Sequence, residues 1–170
     1  MDNRPLEIEY KFLIRFPDIA KLRTQPRYRR EELRQLYLRL PDGTDCRIRS
    51  HKNSDGTRFV KTFKQSITGM TRIEIESEIT EEEFLSLSQY AKKNRNPIEK
   101  TRHSFELFGF TYEVDVFPFW QDRAFLEIEV DSEDTHPPIP DFIQVIKDIS
   151  SDMRYRNSAL AKEVITEPLS

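Results

Sequence analysis

The sequence predicts an α+β fold of about eight antiparallel strands with a few helices. Three observations support this prediction: apolar and charged residues alternate along most of the chain, hairpin turns can be recognised, and only short stretches repeat with helical spacing. The strands are expected at Leu6–Phe12, Leu36–Leu40, Cys46–Arg49, Arg58–Gln65, Arg72–Ile79, Ile98–Leu107, Phe110–Phe117 and Ala124–Val130.

Turn residues divide these strands into hairpins. Asn53-Ser54-Asp55-Gly56 should connect the third strand to the fourth, and Phe108-Gly109 should connect the sixth to the seventh. Thr80 and Glu83 have the spacing of a capping box, which predicts an amphipathic helix beginning there. Further helices are expected at Phe16–Leu22, Asp141–Ser150 and Ser158–Ile165.

Length and composition limit the classes of protein to consider. A chain of 170 residues predicts a single domain, residues 1–170. It carries 27 basic and 30 acidic residues, which nearly cancel. This balance disfavours a disordered polyelectrolyte and a nucleic-acid binder recognisable by its charge. No apolar run approaches a membrane span, and Met1–Pro5 lacks the basic and apolar start of a secretory leader.

Cysteine and histidine usage narrows the chemistry. Cys46 is the single cysteine, so neither a disulfide framework nor a thiolate metal cage is expected, and a reducing cytoplasm is the predicted location. His51, His103 and His136 share no metal-ligand spacing, which nearly excludes zinc chemistry.

The charges are sorted by strand. A sheet with one wet face alternates apolar and charged residues anyway, so alternation alone has an ordinary structural explanation. Here, however, one strand places acids such as Glu7 and Glu9 together on its polar face, and another places bases such as Arg47 and Arg49 together. Like charges two residues apart on one face repel each other, so an ordinary solvated surface gains nothing from such rows. Rows that face a common space would suit a divalent metal ion and a polyanion. Oxygen donors favour Mg²⁺ or Mn²⁺.

Phosphate would have to be bound by strand side chains. The chain has only 4 glycines, and none fits a glycine-rich phosphate loop. Arginines spaced by two on a strand can bind phosphate oxygens in a forked geometry. A closed barrel would give such side chains a shared interior.

Glu7-Ile8-Glu9-Tyr10-Lys11 resembles the ExExK signature of the CYTH family, the triphosphate tunnel metalloenzymes. Seven more blocks resemble the family in the same order: Arg47-Ile48-Arg49, Thr62-Phe63-Lys64, Thr71–Glu76, Lys100-Thr101-Arg102, Glu113–Phe117, Leu126–Glu129 and Arg154–Ala161. The resemblance implies a closed antiparallel β-barrel of about eight strands that forms a hydrophilic tunnel.

The same resemblance implies metal-dependent hydrolysis of triphosphates, with inorganic triphosphate the expected substrate. The implied metal ligands are Glu7, Glu9, Asp115, Glu127 and Glu129. The implied phosphate-binding residues are Lys11, Arg47, Arg49, Lys64, Lys100, Arg102 and Arg154. Tyr37 and Lys64 are expected to act together in catalysis. Lys61 competes for the position of Lys64, which we prefer because Thr62-Phe63-Lys64 fits the family pattern.

Several alternatives stay open at the level of sequence. A thiamine triphosphatase or a class IV-type adenylate cyclase would need a platform for an organic ring, and Trp120 is the one candidate. A non-catalytic polyphosphate- or nucleotide-binding module would need the bases but not the acids. Glu74, Glu76 and Glu78 fit two roles equally, as partners of interior arginines or as metal or water ligands. No nucleic-acid or membrane partner is expected, and a homodimer is left open.

Overall fold

A closed β-barrel dominates the computed structural model, which describes residues 6–169. Its strands are β1 (Leu6–Arg15), β2 (Arg29–Arg39), β3 (Asp45–Asn53), β4 (Gly56–Ser66), β5 (Thr71–Ile79), β6 (Ile98–Leu107), β7 (Phe110–Val116), β8 (Arg123–Glu129) and β9 (Val145–Asp148). Hydrogen bonding follows the order β5-β4-β3-β2-β6-β7-β8-β1, and β5 pairs back onto β1. All pairs are antiparallel, which confirms the predicted fold class. Met1–Pro5, examined above for a leader, lie outside the described residues.

The helix predicted at Asp141–Ser150 is wrong, because a turn at Asp141 and Phe142 leads into the strand Val145–Asp148. β9 pairs with Phe12–Ile14 of β1, beyond the part of β1 that pairs with β5. Val145 packs on one apolar cluster and Ile146 on another, as alternate residues of a strand do. The β-branched residues at these positions suit a strand, and pairing covers an edge of β1 that would otherwise be open.

The helices are short and lie outside the barrel strands. They are α1 (Ile19–Arg23), α2 (Glu81–Leu87) and α3 (Asn157–Leu160), with 3-10 turns at Ser88–Tyr90 and Met153–Tyr155. The predicted capping box is present at α2, since the Glu83 amide donates to Thr80 Oγ1 at 3.1 Å and the Thr80 amide donates to Glu83 Oε2 at 2.8 Å. No helix within residues 6–169 is long and apolar enough to span a bilayer.

The helix expected at Ser158–Ile165 ends at Leu160 instead. Beyond it Ala161 and Lys162 form a turn, and the chain continues without regular secondary structure, with Val164 and Ile165 packed on an apolar cluster. The Trp120 indole donates to the carbonyl of Ile165 at 2.8 Å.

Both predicted hairpin turns are confirmed. Asn53 pairs with Gly56 at the tip between β3 and β4. Phe108 and Gly109 have φ of 53° and 79° between β6 and β7, the left-handed pair that a two-residue turn requires.

The apolar core lies mainly outside the barrel rather than within it. One cluster, around Phe105, Tyr112 and Leu126, fills the space under α1 and the segment leading to β9. A second, around Leu38, Ile48 and Phe84, lies under α2. A third closes one end of the barrel, where the C-terminal segment packs on Phe117, Phe125 and Leu13. The barrel interior is therefore left to polar side chains.

Candidate active site

A cavity of about 440 Å³ occupies the polar interior of the barrel. Among the described residues, ten basic and seven acidic side chains line it. Strand alternation explains this concentration, because the inward-facing positions of β1, β3, β6 and β8 are charged while the outward positions pack on the apolar clusters. A formal excess of positive charge in an enclosed space favours a polyanionic ligand.

β3 supplies the most buried arginines of the cavity. Arg49 Nε donates to Gln35 Oε1 at 2.8 Å, and Arg47 Nη2 donates to Thr62 Oγ1 at 3.5 Å. Arg47 Nε is buried and donates to no acceptor. Burial, with the neighbouring charges of Arg47 and Arg102, lowers the pKa of Arg49 to about 9. An anion placed between these arginines would satisfy the free donor and offset the repulsion.

Asp115 is a buried clamp for two other bases. Its carboxylate accepts from Lys100 Nζ at 2.6 Å and from Arg102 Nε and Nη2 at 2.7 and 2.8 Å. Arg102 also forms ion pairs with two glutamates: its Nη2 lies 3.3 Å from Glu127 Oε2, and its Nη1 lies 2.5 Å from Glu113 Oε2. Burial opposes the charge of Asp115, but Arg102 and Lys100 outweigh it and hold the pKa of this carboxyl well below its usual range. The clamp fixes Lys100 and Arg102 at the cavity wall.

The acids of β1 and β8 are crowded together. Burial, followed by the charges of Glu127 and Glu7, raises the pKa of Glu9 to about 7. Glu7 Oε2 is buried and accepts no hydrogen bond. Two bases lie against these acids: Arg72 forms ion pairs with Glu7 and Glu9, and Lys64 Nζ lies 3.7 Å from Glu7.

Tyr37 and Lys64 share the cavity but contact different partners. The Tyr37 hydroxyl accepts from Gln35 Nε2 at 2.9 Å, and burial raises its pKa. Lys64 Nζ lies 3.4 Å from Glu74 Oε2, and burial, with the charge of Arg47, lowers its pKa to about 8. Lys61 instead places its ammonium over the ring of Phe63. The structure therefore puts Lys64, not Lys61, in the cavity.

Most of the residues that the sequence nominated meet in this cavity, and three do not. The cavity is lined by Glu7, Glu9, Lys11, Tyr37, Arg47, Arg49, Lys64, Lys100, Arg102 and Glu127. Asp115 lies behind the wall, engaged by its two bases. Glu129 pairs with Glu9 across β1 and β8 but is exposed and outside the lining. Arg154 is also outside, with 57% of its side chain exposed and Asp152 and Glu167 as partners.

Two other positions bear on the choice of ligand. Trp120 is 4% exposed and packs among Phe117, Phe119 and Phe125, with its indole nitrogen bonded to Ile165. It is a core residue and offers no stacking face to the cavity. Glu74 lines the cavity with Lys64 at 3.4 Å and Arg47 at 4.0 Å, so it occupies the role of a partner for interior bases.

Comparison with known proteins agrees with this geometry. The model of the CYTH domain matches residues 5–158. The chain belongs to the CYTH family. It is 36% identical over 165 residues to an inorganic triphosphatase of Nitrosomonas europaea, a match that covers 93% of this chain and 98% of the relative. It is also 32% identical to an inorganic triphosphatase of Acetivibrio thermocellus, covering 92% and 93% of the two chains.

A solved CYTH relative shows the same architecture. The crystal structure of an inorganic triphosphatase superposes with a TM-score of 0.57 at 31% identity, covering 92% of this chain and 95% of that one. A conserved protein of Pyrococcus furiosus superposes with a TM-score of 0.54 at 26% identity, covering 75% and 80%. The barrel is therefore shared across relatives of quite different sequence.

CYTH triphosphatases are metal-dependent, and the donor set here fits a hard cation. The acids offer only oxygen ligands, and burial together with their mutual repulsion raises the pKa of Glu9, so a bound cation would stabilise the carboxylate. Within residues 6–169, however, no three Asp, Glu, His or Cys side chains already converge as a ready metal site. Arg72 and Lys64 pair with these acids instead.

Sequence reasoning missed several CYTH cavity residues. Arg72 and Arg156 line the cavity within motifs that were recognised, but neither was assigned a role. Arg72 shares a strand face with Glu74, so the same alternation that places Glu74 in the cavity also places Arg72 there. Lys92 also lines the cavity, and it pairs with Asp45 at 3.0 Å. It lies in a loop after α2, where no repeating pattern in the sequence indicates which way its side chain points.

Proposed function

We propose that this CYTH protein is a metal-dependent triphosphatase that prefers inorganic triphosphate. The observation that carries the proposal is the barrel cavity, which ten bases among residues 6–169 line, several of them buried and one, Arg47, with a free donor. Relatives that match nearly the whole chain are inorganic triphosphatases. A cytoplasmic location belongs to the same proposal, because Cys46 is buried and unpaired, as in proteins of reducing compartments.

The proposed metal ligands are Glu7, Glu9 and Glu127, with Glu129 beside Glu9 at the same barrel end. Mg²⁺ or Mn²⁺, when bound, would polarise phosphate oxygens and offset their charge. We assign Asp115 to positioning rather than to the metal, because both of its carboxylate oxygens accept hydrogen bonds from Lys100 or Arg102.

The basic side chains would bind the three phosphates and stabilise the charge that develops during hydrolysis. The proposed cradle consists of Lys11, Arg47, Arg49, Lys64, Lys100 and Arg102, to which the cavity geometry adds Arg156. Lys64 is proposed to act on the scissile end with Tyr37. Its lowered pKa of about 8 leaves it largely protonated at neutral pH, which suits charge neutralisation. Arg154 would need to leave Asp152 and Glu167 to contribute.

The proposed substrate preference follows from the lining. Charged contacts are abundant, whereas Trp120, the sole ring platform that the sequence offered, is buried in the core. Binding energy should then come from the polyphosphate, and an organic group should add little. We expect inorganic triphosphate to exceed ATP and thiamine triphosphate in kcat/KM by at least about tenfold, which requires only about 1.4 kcal/mol.

Side-by-side kinetics on the three triphosphates and diphosphate, with Mg²⁺ and with Mn²⁺, test this proposal. Diphosphate should be a poor substrate because it leaves part of the cradle unpaired. A higher kcat/KM for ATP, or formation of cyclic AMP and diphosphate, would replace the proposal with a nucleotide-specific one. Tight triphosphate binding without phosphate release under any metal would indicate a binding module.

A further inference from the structure

Arg72 holds together the two acids of the ExExK motif. Its Nε lies 3.0 Å from Glu7 Oε2, and its Nη2 donates to Glu9 Oε1. One guanidinium therefore spans both carboxylates. Arg72 and Glu7 are paired residues on β5 and β1, so the contact lies at the seam where the barrel closes.

These are the carboxylates that the proposed function assigns to the metal. Glu127, the third, has its own bases in Lys11 at 3.7 Å and Arg102 at 3.3 Å. Glu9 pairs with Arg72, whereas Glu7 pairs with both Arg72 and Lys64, and Lys64 is shared with Glu74. A divalent cation bound by Glu7 and Glu9 would compete with the guanidinium for the same oxygens.

Loss of a proton cannot resolve that competition. A guanidinium stays charged in proteins, so it has to move when a second cation arrives. Arg72 lines the same cavity as the proposed phosphate-binding residues, which gives it an anionic partner once substrate is present.

Resting on the proposed function, we propose that Arg72 is an exchangeable counter-ion that neutralises Glu7 and Glu9 in the metal-free protein and releases them when a divalent cation binds. Arg72 is thus a positioning residue that lowers metal affinity in the absence of substrate. The released guanidinium can pair with phosphate, so substrate and metal should each favour binding of the other.

Mn²⁺ binding to the substrate-free protein, measured by isothermal titration calorimetry, tests this role. Arg72→Gln should bind Mn²⁺ about fivefold or more tightly than wild type, the factor expected from removing a competing ion pair of about 1 kcal/mol. Arg34→Gln is the matched control, because Arg34 is half-exposed on β2 and pairs with Glu99 at 3.4 Å. Its Mn²⁺ affinity should equal that of wild type.

Arg72→Lys separates direct competition from the mere proximity of a positive charge. Lysine keeps the charge but cannot span two carboxylates, so its Mn²⁺ affinity should lie between those of wild type and Arg72→Gln. Wild-type affinity in Arg72→Lys, or unchanged or weaker affinity in Arg72→Gln, overturns the proposal. If Arg72→Gln does not fold, the lysine variant alone decides.

Thermal unfolding gives a second readout. Without metal, Arg72→Gln should melt below wild type, because Glu7 and Glu9 lose their partner at the barrel seam. Saturating Mn²⁺ should narrow that difference, whereas a purely structural arginine would leave it unchanged. Phosphate release by the wild-type protein is assayed separately. If Arg72→Gln binds Mn²⁺ more tightly but the wild-type protein has no triphosphatase activity, the proposed function is wrong while the counter-ion role of Arg72 is supported.

Discussion

Replacing Asp115 with asparagine should unfold the protein at a much lower temperature. Asp115 and the Lys100 side chain are fully buried, and the carboxylate is bonded to Lys100 and to both nitrogens on one edge of Arg102. Asparagine conserves the volume but removes the charge and half of the acceptor capacity. Two buried or nearly buried cations would then face each other without their shared anion.

The magnitude follows from the cost of breaking a buried ion pair. Removing one partner costs about 3–5 kcal/mol. In a chain of this length, 1 kcal/mol shifts the melting temperature by about 2–4 °C, so we expect a decrease of about 6–20 °C. Differential scanning calorimetry of the metal-free protein measures it. Glu99→Gln is the control, since Glu99 is 64% exposed and pairs with the half-exposed Arg34 at 3.4 Å. It should cost less than about 1 kcal/mol.

The difference in melting temperature between wild type and Asp115→Asn should depend on pH in a defined direction. Because the pKa of Asp115 is depressed in the folded protein, its contribution is present above the ordinary aspartate pKa of about 3.9 and is lost as the pH falls below it. The gap between wild type and Asp115→Asn should therefore narrow below about pH 4. A shift of about 2 °C corresponds to about 1 kcal/mol of stability in a chain of this length. If metal-free Asp115→Asn melts within about 2 °C of wild type at pH 7, the proposed role of Asp115 as a buried partner of Lys100 and Arg102 is refuted.

Three further substitutions test the cavity. Glu9→Gln should reduce turnover at saturating Mn²⁺ by at least about 100-fold, because it removes an anionic ligand at nearly constant volume; near-normal turnover contradicts the assignment. Arg49→Ala should weaken triphosphate binding by about 1.5–3 kcal/mol, the contribution of a charged hydrogen bond, while Arg34→Ala should not. Gly69→Ala should slow turnover, because its Cβ would lie 2.1 Å from Ser151 Oγ and displace the C-terminal segment beside the cavity. Ser151→Gly in the same chain should restore part of the loss, and no restoration argues against that clash.

Period-two patterns predicted the strands well because each strand has to satisfy opposite environments on its two faces, whereas the closed barrel was implied by the resemblance to the CYTH family. The charges of Glu7, Glu9, Arg47 and Arg49 could be placed on one face by parity alone, and the structure puts them in one cavity. The same reasoning failed where local spacing is ambiguous. Phe142 to Ile149 fits helical spacing, but the open edge of β1 recruits this segment as a strand.

Partners across the barrel could not be predicted from single strands. Alternation along its strand places Asp115 on the inward face, as expected of a metal ligand. Only the structure shows that its oxygens already accept hydrogen bonds from Lys100 and Arg102. Arg72 lies in a recognised motif, yet its contact with Glu7 and Glu9 depends on the closure of β5 onto β1. Lys92 lies in a loop, so no repeating sequence pattern predicts the direction of its side chain.

The most direct test of the central claim is phosphate release from inorganic triphosphate by chelator-treated protein before and after a divalent metal is restored. The barrel interior combines oxygen ligands with ten cavity-lining bases, so the chelated protein should be inactive and should recover with Mg²⁺ or Mn²⁺, releasing one phosphate and one diphosphate per triphosphate. Equal activity with and without metal, or no hydrolysis with either metal, would contradict the account.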